Sequence, residues 1–335
     1  MGCNDDTRMK TTDNGQTSLT GRIAERAKVT VSIQHLVRGS LSCEPGDKVL
    51  SATACVSQAM EQLCAMLDEG ASNSHASFFV MTPLITGMPV IAHVQGAMTV
   101  FGNGVRHYAT RAVYECETDD LEKAGGYYSL LPVLDGMRHY EKVEFDAPAE
   151  RKVEVDGKRE LTAHERALYE YMAYSIVHDT RLFIKLNEDE CWRADDVRRS
   201  PRLAALLHAI DHLPPAWRDR ASLAFSVECK EGPMQELLPD MRFIAHHDSI
   251  DEWGGEAAGA CCLDWTSSSL AWGVEGRPDV RPCSEEVKFL EGNVPQKEVE
   301  ATQEDEDGLT SKTHKTSTPS NPLTFLKSLL SKRKK

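Results

Sequence analysis

A chain of 335 residues with 41% hydrophobic content is long enough to bury one large core or two smaller ones. Its formal net charge of −14 argues against nucleic-acid binding by the body, because binding phosphates requires a basic face. No stretch approaches the roughly 18 apolar residues of a membrane-spanning helix, and no secretory apolar core interrupts the polar residues 1–28.

In chain order, residues 1–28 are polar and rich in Asp, Asn, Thr and Gly, which predicts a disordered leader. Residues 29–33 alternate β-branched and polar positions and open the body with a strand. From 57 to 67 the residues Met60, Leu63, Cys64 and Leu67 recur at helical spacing, with Gly70 as the stop. Residues 77–84 form a buried strand. The segments 90–94, 98–101 and 105–114 surround Gly102-Asn103-Gly104, whose tolerance of positive φ predicts an antiparallel hairpin. Two short sheet segments, 142–145 and 152–155, come before the turn signal Asp156-Gly157.

The second half changes rhythm. Thr162 followed by Glu165 is a capping box, and Leu168, Met172 and Ile176 mark one face of the helix it starts. Residues 181–186 read as a strand. Ser200-Pro201 opens a helix whose core face carries Leu203, Leu206, Leu207 and Ile210 and which ends before Pro214. Residues 221–227 and 241–245 are further strands. The pattern predicts an α+β fold: a mixed, largely antiparallel sheet with helices on at least one face. We divide the chain into a leader (1–28), an N-terminal α+β region (29–156), a C-terminal α/β region (157–290), an acidic then Thr/Ser/Pro linker (291–320) and a basic amphipathic segment (321–335).

That last stretch segregates its charge. Seven acids between 291 and 307 stand against Lys297 alone, whereas seven basic residues and no acid follow Thr310. Asn321-Pro322 precedes a segment in which Leu323, Leu326, Leu329 and Leu330 share a helical face. So short a helix is marginal alone, which predicts a docking helix that orders on a protein partner. With Gly2-Cys3, a possible acylation start, the basic end would supply the second of two membrane signals, though Asp6 stands where myristoylation prefers Ser or Thr.

Reaction chemistry is sparse. The ten cysteines are scattered, with no C-x-x-C pair, which predicts thiols in a reducing cytoplasm. Neither a P-loop nor a G-x-G-x-x-G turn nor a G-x-S-x-G elbow occurs, so no cofactor is expected. Cys43, in a Gly/Pro-bounded loop, and His35, on the opening strand, are the candidate nucleophile–base pair. His208 and His212 lie four apart on one helix and are the candidate metal ligands, but no Glu follows the first. His246 and His247 alternate on a strand and point to opposite faces. Period two places His107 and Arg111 on one strand face, a cationic binding surface or else the solvated side of a half-covered sheet.

Several segments resemble the GTPase-associated proteins of bacterial conflict systems. These are Ile33-Gln34-His35-Leu36 with Gly39, Gly46 and Leu50-Ser51; Gly87-Met88-Pro89-Val90 leading to Gly102-Asn103-Gly104-Val105-Arg106-His107-Tyr108; and Leu213-Pro214-Pro215-Ala216-Trp217-Arg218 before Ser222-Leu223-Ala224-Phe225-Ser226. The resemblance implies an adaptor acting beside a small GTPase in a multi-gene system, and no catalytic residue is carried over with it. The sequence therefore predicts a non-enzymatic interaction protein. Two alternatives stand beside it: a small hydrolase or transferase using Cys43 and His35, and a peripheral membrane protein.

Overall fold

The computed structural model describes residues 27–41, 46–70, 76–95, 110–134, 142–155, 159–187, 197–227, 237–247, 260–267 and 270–272. Cys43, His107, the leucines of 321–335 and Gly2 lie outside them.

The strands are β1 Ala27–Gly39, β2 Lys48–Thr53, β3 Ala76–Met81, β4 Val90–Gln95, β5 Thr110–Cys116, β6 Glu144–Ala147, β7 Glu150–Val155, β8 Leu182–Leu186, β9 Leu223–Val227, β10 Phe243–His246, β11 Cys261–Trp265 and β12 Ala271–Trp272. They form one sheet in the order β12-β11-β8-β10-β9-β3-β4-β5-β1-β2-β6, with β7 paired to β1 beside that path. The first region supplies mostly antiparallel pairs, the second the parallel set β11-β8-β10-β9, and the antiparallel β3–β9 pair joins them. The fold is α+β, and the sheet continues from one side of residue 156 to the other.

The helices are α1 Gln58–Gly70, α2 Pro83–Thr86, α3 Thr118–Lys123, α4 Tyr127–Leu130, α5 Ala163–Val177, α6 Pro201–Asp211 and α7 Pro215–Arg218. They cover both faces. Leu121, Tyr127, Leu168, Leu203 and Trp217 pack with Ile33, Phe78 and Tyr114 on one side, whereas Met60, Leu63 and Leu67 pack with Leu36, Phe79 and Val113 on the other. Burying each large aliphatic side chain contributes about 2 kcal/mol, which is why strands such as β3 read as unbroken apolar runs.

Several expectations are corrected locally. β1 begins at Ala27, so the leader's boundary at residue 28 lies too far along. The strand expected over 77–84 stops at Met81, because Pro83 starts the short helix α2 and Gly87 closes it at φ +86. The hairpin exists as β4 against β5, with Gln95 opposite Thr110, and its turn lies outside the described residues. Both segments near 142–155 are strands: β6 runs parallel to β2, and β7 runs antiparallel to the first half of β1. Both helix starts read from sequence hold. The Thr162 hydroxyl accepts from the Glu165 N–H (3.2 Å), the Glu165 carboxylate accepts from the Thr162 N–H (2.8 Å), and Ser200 caps α6. Among the described residues no helix is long and apolar enough to cross a membrane.

Candidate functional site

A depression beside β7 holds about 750 Å³. Its floor is Tyr128 and Ser129 from α4 with Leu131, Pro132 and Val133, and its walls carry Lys152, Glu154, Arg198 and Arg199. A narrower cavity of about 260 Å³ shares Tyr128 and Ser129 and reaches Arg159, His208, Asp211 and His212. On the other side a shallow depression of about 430 Å³ shares Val133 and Lys152 and reaches His35, Ser51 and Arg151. The three depressions adjoin through these shared residues, and their lining also carries the acids Glu122, Glu144, Glu150 and Glu154.

The α4 turn that makes the floor is held by a remote residue. Gly125 and Gly126 adopt φ +82 and +117, and no local side chain caps the helix. The Asp211 carboxylate, from the end of α6, accepts instead from the N–H groups of Tyr127 (2.9 Å) and Tyr128 (2.8 Å). Burial raises the Asp211 carboxyl to about 7, and the two N–H donors and Arg218 only partly offset that rise. A carboxyl raised in the folded state contributes stability that is present in acid, below its ordinary value of 3.8, and lost as the pH rises through about 7. The stability of the native chain relative to Asp211→Asn is therefore larger at pH 5 than at pH 8. Urea midpoints at the two pH values check this, and an equal difference at both would remove the assignment.

Beside it, the Glu165 carboxylate lies 3.1 Å from Nδ1 of His208 and also pairs with Arg159. Burial acts to raise the Glu165 carboxyl, but the Thr162 hydrogen bonds and the neighbouring His208 and Arg159 hold it below the usual range. Burial lowers the basicity of His208, and Glu165 offsets this only in part. His208 and His212 do come together, with ring centroids 4.5 Å apart. They do not make a metal pair. His208 Nδ1 faces Glu165 and Arg159, while both nitrogens of His212 face carbonyl oxygens, those of His208 (2.9 Å) and Arg159 (3.0 Å). Among the described residues no group of three or more His, Cys, Asp or Glu is arranged to hold a metal ion.

The other sequence candidates are placed differently. His35 is buried on β1, its Nε2 3.0 Å from the Ser51 hydroxyl and its Nδ1 3.3 Å from Arg151, and its expected partner Cys43 lies outside the described residues. Arg111 is 0% exposed, so it lies neither on a solvated strand face nor on an accessible binding surface. β5 is covered on both sides, and the Arg111 guanidinium pairs inward with Asp47, which also holds Arg38 at 2.7 Å. His246 and His247 are buried, the first edge-on to Phe183 and the second 3.2 Å from the Ser226 hydroxyl. The described cysteines are thiols, and burial pushes Cys116 up to about 12, far from the thiolate a nucleophile needs.

Sequence reasoning missed Lys152, Arg198, Arg199, Tyr128 and the capping role of Asp211. Only the basic pair Arg198-Arg199 just before the Ser200 cap offered a local signal. No model of a known protein family matches the chain, and no curated protein compared with it matches either. What fold and site define is an α+β protein with adjoining polar depressions beside β7.

Proposed function

We propose that this chain is a non-enzymatic interaction protein of a multi-component system, whose body receives an acidic segment of a partner in the cleft beside β7. The observation that carries this reading is the cleft's composition. Three cationic side chains, Lys152, Arg198 and Arg199, stand with the single acid Glu154 around Tyr128, Leu131 and Val133, in an open space of about 750 Å³. A guanidinium meets a carboxylate with two donors, and an apolar floor takes the side chains between the acids. The C-terminal segment with Leu323, Leu326, Leu329 and Leu330 supplies a second, tethered contact, which raises avidity through effective concentration. The resemblance to GTPase-associated proteins makes a small GTPase the first partner to test.

The probe is a fluorescent peptide alternating Glu and Leu, titrated into the full chain by anisotropy. Its affinity falls about tenfold or more, ~1.4 kcal/mol, in the double variant Arg198→Glu, Arg199→Glu. A Lys-Leu peptide that binds equally well ends the reading. For the tail, partners co-purified with the full chain are compared with those of a chain truncated after Gly308, and identical sets remove the docking helix.

A further inference from the structure

The cavity at the end of α6 is lined by charges that already have partners. Arg159 pairs with Glu165, Lys123 with Asp120 (3.0 Å), Glu122 with Arg218 (3.3 Å), and Asp211 with the Tyr127 and Tyr128 N–H groups. Such a lining gives a charged ligand no net attraction. The cavity holds about 260 Å³, below the roughly 300–1,000 Å³ of drug-sized sites, so a neutral ligand of one or two rings suits it.

One acceptor stands open in that lining. Nδ1 of His208 lies 3.1 Å from a Glu165 oxygen and 3.1 Å from the Arg159 guanidinium. A bare Nδ1 would turn its lone pair on a buried carboxylate that the Thr162 N–H fixes at 2.8 Å. The Arg159 side chain is 48% exposed and has room to shift, so the carboxylate decides. Nδ1 carries the proton and donates to Glu165. Burial lowers the basicity of His208, which leaves the ring neutral and Nε2 with its lone pair. Nε2 has no hydrogen-bond partner among the described residues and is not sealed from solvent there. The Tyr128 ring stands 5.3 Å from the His208 ring, and Gly125 and Val155 add uncharged wall, an arrangement that favours a flat ligand.

We propose that this cavity binds a neutral aromatic heterocycle whose ring N–H donates to Nε2 of His208 while its face lies against Tyr128. Indoles and nucleobases belong to that class. The site goes beyond the acidic-segment reading and does not depend on it, since Arg198 and Arg199 line the neighbouring depression and not this one.

The probe is indole, which offers one N–H donor, and its control is 1-methylindole, nearly the same shape without the donor. Both are titrated into the full-length protein and followed by the His208 ring signals in 1H–13C spectra, assigned with His208→Phe. Indole is expected to bind with a Kd on the order of 1 mM, ordinary for so small a ligand, and 1-methylindole about tenfold more weakly, the effect of one hydrogen bond. In His208→Phe a ring remains without the acceptor, and the two probes bind alike. Equal affinities for the native chain, or no movement of His208 with indole at about 10 mM, overturn the proposal. Indole binding is unchanged in Arg198→Glu, Arg199→Glu; its loss there would place the ligand in the wider depression and overturn the assignment to this cavity. Long-range 1H–15N spectra of the free protein near pH 7.5 need no variant. They are expected to show Nε2 as the unprotonated nitrogen, and a proton found on Nε2 overturns the proposal.

Discussion

Replacing Gly126 with alanine lowers stability by about 3 kcal/mol or more and distorts the floor of the cleft. A Cβ at this position would stand 2.2 Å from the carboxylate carbon of Asp211 and 2.3 Å from one of its oxygens. No relaxation of a surface side chain relieves this, because that carboxylate is held by the Tyr127 and Tyr128 N–H groups. The φ of +117 adds strain of roughly 1–3 kcal/mol for any residue with a Cβ. Displacing Asp211 then leaves two helix N–H groups without their acceptor, at about 1–3 kcal/mol each where they are buried. Urea denaturation reads the loss. The same variant should bind the Glu-Leu probe more weakly at a temperature where it is still folded, because Tyr128 and Ser129 ride on the turn. A change below about 0.5 kcal/mol would show that α4 is not held as described.

Removing the Arg111 guanidinium has the next largest effect. Arg111→Met keeps much of the side chain's volume but strips the buried member from a carboxylate shared by two arginines. The expected destabilisation is about 1–3 kcal/mol, that of a lost charge-assisted hydrogen bond, since Asp47 is partly exposed and keeps Arg38. A double-mutant cycle with Asp47→Asn separates the pair from packing: coupling of about 1 kcal/mol or more is expected. Additive losses would show that Arg111 stabilises only through its neighbours on α1. Full stability of Arg111→Met would show that the pair with Asp47 contributes no net stability.

The burial of Arg111 shows where a one-dimensional reading stops. Alternation along 106–111 predicted which side chains share a face, but not whether Arg111 meets water. The answer came from α1, whose Leu63, Cys64 and Leu67 lie over the same side of the sheet. The i, i+4 spacing likewise placed His208 and His212 together, yet the direction of their nitrogens was set by Glu165 and by the carbonyls of His208 and Arg159.

The sequence by itself determined the elements whose signals are local. The Thr162 and Ser200 caps and the apolar faces of α1, α5 and α6 follow from side chains and backbone groups only a few residues apart. The α+β class follows from the same rhythm. Only the tertiary structure decided the strand order, the joining of both regions in one sheet, the burial of Arg111, and the cleft. Lys152, Arg198 and Tyr128 come from three segments far apart in sequence, and Asp211 caps a turn 84 residues before it. Such contacts form when the apolar faces of the sheet are covered by helices. No residue's neighbours along the chain encode that collapse, because the free energy that drives it belongs to the whole buried surface.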